Sequence, residues 1–298
     1  MLKHVAIVGV GLIGTSFALA AKRDLTPESA PRIIGVDLDV QYVEQARQRG
    51  AIDAAGTFEQ AASADLVLLA VPVRQMPQVL AALKPHLAEH TVIIDAGSTK
   101  QDVIAAARVS LGNRFPQFVA CHPIAGGERH GPLAADTTLF DGKNVVLCRS
   151  QENTDAMVET ARLAWQAVGA NVVEMSAATH DALFAAVSHL PHVLAFALVE
   201  EIASRPNAKL LFEHAASGFR DFTRIASSSP EMWRDVALNN REALLTELDA
   251  YLLRVAALRN MLQAGDGEAI HDLMQRAQSA REHWLSGQFD QFNQEDGL

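Results

Sequence analysis

In the first half of the chain, short unbroken apolar runs alternate with stretches whose apolar positions recur every three or four residues. The runs at 5–8, 32–37, 65–71, 91–95, 118–122 and 144–148 predict strands. They lack the alternation of a half-buried strand, as expected where helices cover both faces of a parallel sheet. Between them, 12–22, 40–49, 75–83 and 100–109 carry helical spacing, and a helix over 152–168 with a strand over 172–175 predicts one more unit. Alternating strand and helix of this kind makes a doubly wound, mostly parallel α/β sheet. After residue 175 the character changes. The stretches 177–203, 209–215, 230–261 and 268–284 are long, rich in Ala and Leu, and helical throughout, and Pro191 is expected to break the first of them. Their apolar stripes exceed what one small helical layer covers, so burial against the first domain or a second copy of the chain is expected. The division is therefore a sheet domain over 1–175 and an all-α dimerisation domain over 176–298, and the polar end of 281–298 reads as a frayed tail.

Composition changes this picture little, but it removes several function classes. The 298 residues suit two domains, with 49% hydrophobic and 20% charged residues. Twenty-five basic side chains against thirty-five acidic ones give a net charge of −10, without the clustered cations that a nucleic-acid surface needs. The apolar run 66–73 is a typical maximum and holds Pro72, far below the roughly 18 residues of a membrane span. No signal-peptide pattern precedes the first strand, and two cysteines, Cys121 and Cys148, make no disulfide framework. A cytoplasmic protein is expected.

The first chemistry-bearing motif is Gly9-Val10-Gly11-Leu12-Ile13-Gly14, directly after a strand and opening a helix. Gly9 suits a tight turn, Gly11 a close approach to a pyrophosphate, and Gly14 the packing of helix on strand. In that context the sheet domain reads as a Rossmann-type dinucleotide site. Asp37 ends the second strand, where a carboxylate can accept both ribose hydroxyls and repel a 2′-phosphate. Leu38 and Asp39 beside it supply no cation, so NAD is favoured over NADP. Val71 and Pro72, at the end of the third strand, complete the expected cofactor wall.

Further clusters follow, the first two at strand ends: Asp95-Ala-Gly-Ser98-Thr-Lys100 and His122-Pro-Ile-Ala-Gly-Gly127-Glu128. Ser188-His189-Leu-Pro-His192 sits in the first long helix, ahead of Gly218-Phe-Arg220-Asp221-Phe-Thr-Arg224 and Pro230-Glu-Met-Trp233. Ligands of open α/β sheets bind beyond the carboxyl ends of strands, which places Ser98 and His122 near the reactive end of the cofactor. His189 and His192 stand three apart, a spacing open to zinc, but no Cys, His or acidic set completes a metal site.

From the first strand to about Trp233, these segments closely resemble the prephenate dehydrogenase (cyclohexadienyl dehydrogenase) family of tyrosine biosynthesis. The resemblance implies an NAD-binding domain followed by a helical dimerisation domain, and a homodimer. The implied reaction couples NAD-linked hydride removal from the ring carbon bearing the 4-hydroxyl to loss of the ring carboxylate as CO₂, giving 4-hydroxyphenylpyruvate. It also implies that His122 takes the hydroxyl proton, a task suited to an imidazole of pKa near 6.5. Ser98 would bridge histidine, nicotinamide and substrate. His192 and Arg224 would hold the substrate carboxylates, Glu128 and Gly127 would stand at the pocket entrance, and Ser188, His189 and Trp233 would form pocket wall or support. Arg220 is a second candidate anion partner. Prephenate and arogenate are both open as substrate. No fused chorismate mutase or regulatory module is expected. A 3-hydroxyacid-type dehydrogenase is the alternative, but its helix would offer a catalytic lysine and none occurs between Ala177 and Ala208.

Overall fold

The structure, a computed structural model, describes residues 2–127 and 129–287. Strands β1 (His4–Val8), β2 (Arg32–Val36), β3 (Ala54–Ala55), β4 (Leu66–Leu69), β5 (Val92–Asp95), β6 (Phe118–Pro123), β7 (Asn144–Cys148) and β8 (Asn171–Glu174) form one sheet. Its order is β3-β2-β1-β4-β5-β6-β7-β8. The described ladders are parallel except β6 against β7, where His122 faces Val146. The chain starts mid-sheet, runs outward to β3, then crosses back to β4. That reversal leaves a crevice at the carboxyl ends of β1 and β4, where such sheets bind ligands. β3 was not expected from the sequence, because two alanines paired with Ile34 and Gly35 leave no pattern to read.

Helices α1 (Leu12–Lys22), α2 (Val40–Gln48), α3 (Phe58–Ala61), α4 (Met76–Leu83), α5 (Gln101–Leu111) and α6 (Asp155–Ala167) accompany the strands. The strands read as apolar throughout because each feeds two cores: Val5 and Ile7 of β1 point into one, Ala6 and Val8 into the other. Phe17, Phe140 and Trp165 pack edge to face in the first core. Side chains cap several of the helices: Asp39 accepts from Gln41 N–H, Thr154 from Met157 N–H, and Thr57 and Gln60 form a capping box. α1 differs. Its N-cap is Gly11, with no side-chain cap on its first amides.

Beyond the sheet, α7 (Ala177–Phe184), a π turn (Ala185–His189) and α8 (Leu190–Ala203) form one continuous helix. The expectation that Pro191 breaks it is corrected. A proline inside a helix loses one hydrogen bond and crowds the carbonyl four residues back, and the wider π turn falls where that carbonyl lies. The same segment overturns the expectation that no apolar stretch reaches membrane length. Its most apolar 18-residue window has a mean hydropathy of 1.9, so by length and composition alone it could cross a bilayer. Its polar residues His180, Asp181 and His189 are instead buried in the network described below.

Next come α9 (Ala208–Glu213), α10 (Ser217–Thr223), a 3-10 turn (Arg224–Ser227), α11 (Pro230–Asn239), α12 (Arg241–Ala264) and α13 (Gly267–Ser286). The single helix expected over 230–261 is interrupted at Asn240, whose amide is drawn inward to Asp181 and His189. The chain packs as two units, one ending at Leu244 and the other starting at Leu245. Every strand, and every site residue described below, lies in the first. Most of the polar end of 281–298 lies outside the described residues, and its beginning belongs to α13.

Candidate active site

The glycine turn has the geometry its sequence asks for. Gly9 adopts φ +93°, and a Cβ there would fall 2.5 Å from the Ala70 carbonyl oxygen and 3.0 Å from Val71. A Cβ on Gly14 would fall 2.1 Å from the Gly9 carbonyl oxygen, so only glycine lets α1 lie this close to β1. Gly11 is the contrast: a Cβ would meet nothing within 4 Å. Its open side, together with the uncapped start of α1, is the cradle a pyrophosphate fits. Asp37 accepts the Val10 and Asp39 amides at 2.9 Å, which pins its carboxylate beside the turn. Val71 and Pro72 follow β4, with Val71 against Gly9. Leu12 lies beside Gly127, and both line a cleft of about 620 Å³ with Arg49 and Arg129. Ile13 packs against the first core. Glu128 lies outside the described residues.

β5 and β6 end side by side. Ser98 stands half-buried on the loop leaving β5, and His122 is partly exposed near the end of β6. From His122 a polar chain runs inward. His122 Nδ1 is 2.7 Å from His180 Nε2, and His180 Nδ1 is 2.8 Å from Asp181 Oδ1. Asp181 also accepts the amides of Lys100 and Gln101, both at 2.9 Å. Burial raises the Asp181 carboxyl, but the His180 imidazole and those two amides outweigh it and hold the group below the usual carboxylate range. The ionised carboxylate accepts a hydrogen bond from His180 Nδ1–H. His180 Nε2 then accepts from His122 Nδ1–H, and His122 Nε2 is left with a lone pair. Burial first, then the charge of Lys100 and the neighbouring His180 and His189, push His122 well below the usual imidazole pKa. The value near 6.5 expected from sequence is therefore revised downward.

A second histidine is held the opposite way round. His189 is buried, and its Nδ1 accepts from the Asn240 amide at 3.0 Å. Its proton therefore sits on Nε2, a buried atom without a hydrogen-bond partner in the structure. Burial lowers its pKa to about 4. His192 donates from Nδ1 to the Ser188 carbonyl at 2.8 Å and stacks on the Trp233 ring, with centroids 3.6 Å apart. Burial, with the Arg224 charge nearby, lowers its pKa. Arg224 opens the 3-10 turn that packs against α8, so His192, Trp233 and Arg224 come together from three elements. Arg220 stays exposed on α10.

His180, Asp181 and Asn240 were missed in the sequence reading, and Asp95 and Lys100 were quoted there without a role. The adjacent pair His180-Asp181 just after the last strand was the available signal. Asn240 offered none, since only the packed helices bring it to the site. Cys121 and Cys148 are buried free thiols, with burial pushing Cys148 up to about 12, which fits inert core residues.

A phosphate cradle at a sheet switch point and a neutral imidazole beyond neighbouring strand ends define a nucleotide-binding oxidoreductase. The family profile of the prephenate dehydrogenase nucleotide-binding domain matches residues 17–174, and that of the prephenate dehydrogenase dimerization domain matches 176–276. The chain belongs to the prephenate dehydrogenase family. It is 36% identical to the prephenate dehydrogenase of Bacillus subtilis, covering 93% of this chain and 75% of that one. It is 34% identical to the cyclohexadienyl dehydrogenase of Zymomonas mobilis, covering 94% and 95%. Among solved structures, it matches prephenate dehydrogenase from Aquifex aeolicus in complex with hydroxyphenyl propionate and NAD⁺. The TM-score is 0.87 at 32% identity, covering 95% of this chain and 98% of that one. Synechocystis arogenate dehydrogenase matches with a TM-score of 0.78 at 27% identity, covering 94% and 99%.

Proposed function

We propose that this protein catalyses the NAD-dependent oxidative decarboxylation of prephenate to 4-hydroxyphenylpyruvate, releasing CO₂ and NADH, on the route to tyrosine. The observation that carries the reading is the Asp181–His180–His122 chain, which leaves His122 Nε2 as a proton acceptor beyond β6. NAD, when bound, supplies the hydride acceptor, with the Gly11 turn at its pyrophosphate and Asp37 at its ribose. His122 takes the 4-hydroxyl proton as hydride departs, and Ser98 positions that hydroxyl from the neighbouring loop. Electrons from the breaking ring–carboxylate bond then make the ring aromatic, CO₂ leaves, and the 4-oxygen takes its proton back from His122. Arg224 holds carboxylate oxygens, for which a guanidinium fork is suited. His192, braced by Trp233, has given its Nδ1–H to the Ser188 carbonyl, so it joins in that hold as the imidazolium, which offers Nε2–H. Ser188, His189 and Trp233 wall the pocket, and Gly127 stands at its mouth.

The same reading divides the chain at 175/176, pairs it as a homodimer and places it in the cytoplasm. Exposed apolar side chains support the pairing: Val187, Leu210 and Leu238 in the first unit, Leu253, Leu262 and Trp284 in the second. An arogenate-accepting enzyme is the second reading, favoured by the likeness to cyclohexadienyl and arogenate dehydrogenases. Steady-state kinetics with prephenate and arogenate, each with NAD and NADP, test the choice. The proposal expects the highest kcat/KM for prephenate with NAD. A higher value for arogenate assigns the second reading, and no turnover of either substrate refutes both.

A further inference from the structure

The regular pairing of β5 with β6 runs only through Ile93 with Phe118 and Ile94 with Val119. Past that point β6 turns toward β7, where Cys121 and His122 face Leu147 and Val146. The polar groups of Cys121 that face the other way would lack a strand partner. Two side chains take the strand's place. Asp95 Oδ1 accepts the Cys121 amide at 2.8 Å, and Lys100 Nζ donates to the Cys121 carbonyl at 2.9 Å. Asp95 and Lys100 meet each other at 2.5 Å, and Asp95 Oδ2 also accepts the Gly97 amide at 2.9 Å. Both side chains are 0% exposed.

Nothing about the two Cys121 hydrogen bonds requires charge. A neutral amide and hydroxyl could fill them, whereas ions brought out of water carry a desolvation cost that their attraction only partly returns. The charge has a use at the next residue. His122 follows Cys121 directly, and Lys100 is the strongest charged influence on its imidazole.

We propose that the buried Asp95–Lys100 pair is a positioning element of the reaction centre, gripping Cys121 by both backbone polar groups and setting the Lys100 cation behind His122. Asp95 and Lys100 touch no reacting atom in this proposal. They fix where the imidazole stands, and the Lys100 cation opposes its protonation before substrate binds. The proposal rests on the reading of His122 as the base.

The test compares His122→Asn, Lys100→Met, and the double variant Asp95→Asn/Lys100→Met. The double variant removes both charges, while the amide oxygen of the introduced asparagine can still accept the Cys121 N–H. Readouts are kcat, KM for prephenate and NAD, the pH profile of kcat/KM, and Tm. The groups facing His122 are Lys100 and Asp95 from β5 and its loop, His180 and Asp181 from α7, and His189 from the π turn. Only the first two change. Lys100→Met is expected to lower kcat by about tenfold or more, with KM for NAD within about twofold, and to shift the acid limb upward toward an ordinary imidazole. The double variant should regain most of the Tm but not the kcat, and should keep the shifted limb. Recovery of kcat together with Tm, or an unmoved acid limb in both variants, overturns the proposal and leaves the pair a packing feature. If Lys100→Met does not accumulate folded, the double variant decides alone. If His122→Asn keeps wild-type kcat, the failure lies in the reading of the base.

Discussion

Replacing Asp181 with asparagine changes one atom and should disable His122 from two hydrogen bonds away. Asp181 accepts three hydrogens: the Lys100 amide and His180 Nδ1–H at Oδ1, and the Gln101 amide at Oδ2. An asparagine has one acceptor oxygen and one NH₂ for these positions. If the NH₂ turns to His180, Nδ1 must accept and the proton moves to Nε2. His122 Nδ1 must then accept in turn, and its own proton moves to Nε2, the atom that has to receive the substrate proton. If the NH₂ turns to Gln101 instead, it opposes an N–H, and the ionic bond that polarises the chain is gone. A hydrogen bond to a charged group contributes about 1.5–3 kcal/mol, which converts to a loss of roughly 10- to 150-fold in kcat. Steady-state NADH formation reads this directly, and KM for NAD should stay near wild type because the glycine turn is untouched. The double variant His122→Asn/Asp181→Asn separates the mechanism from a structural one. A residue that acts only through His122 adds nothing once His122 is gone, so the double variant should match His122→Asn, itself about 10²–10⁴-fold down. Losses that multiply in the double variant would mean that Asp181 matters as the anchor of α5, and would refute the chain.

Acid should destabilise the fold partly through His189. Its folded pKa of about 4 lies below the ordinary 6.5, so the unfolded chain binds the proton first as pH falls. The stabilisation from keeping it neutral is complete above about 6.5 and is lost by about 4, some 3 kcal/mol in all. Denaturant titrations should show His189→Gln losing less stability than wild type across that window, and parallel curves would contradict it. Asp37→Ser should raise KM for NAD and narrow the preference over NADP, and a wild type that already turns over faster with limiting NADP would contradict the role given to Asp37. Sedimentation should find a dimer at micromolar concentration, as interfaces covering this much apolar helix are large, typically over about 2,000 Å². A stable and active monomer would contradict the pairing.

The alternation of apolar runs and helical stretches was enough to place seven of the strands and the class of sheet, because a parallel sheet buried on both faces writes itself into the chain as unbroken apolar segments. The glycine turn was legible for a related reason: Gly9 and Gly14 answer local steric demands, at Ala70 and at Gly9 itself, while Gly11 leaves its side of the turn open. Ser98, His122, His192, Arg224 and Trp233 could be named as candidates from their motifs and a resemblance, but their relations could not. Only the packed structure brings Trp233 of α11 onto His192 of α8, and only the close of α11 swings Asn240 onto His189. The same holds for charge state. A sequence assigns His122 an ordinary imidazole, whereas the fold half-buries it, sets the Lys100 charge near it and joins it through His180 to Asp181, a carboxylate almost sixty residues away in the chain. Local sterics and periodicity act between near neighbours and so survive in the one-dimensional record. Proton position and pKa depend on desolvation and on charges a few ångströms away, and those distances exist only once the chain has folded.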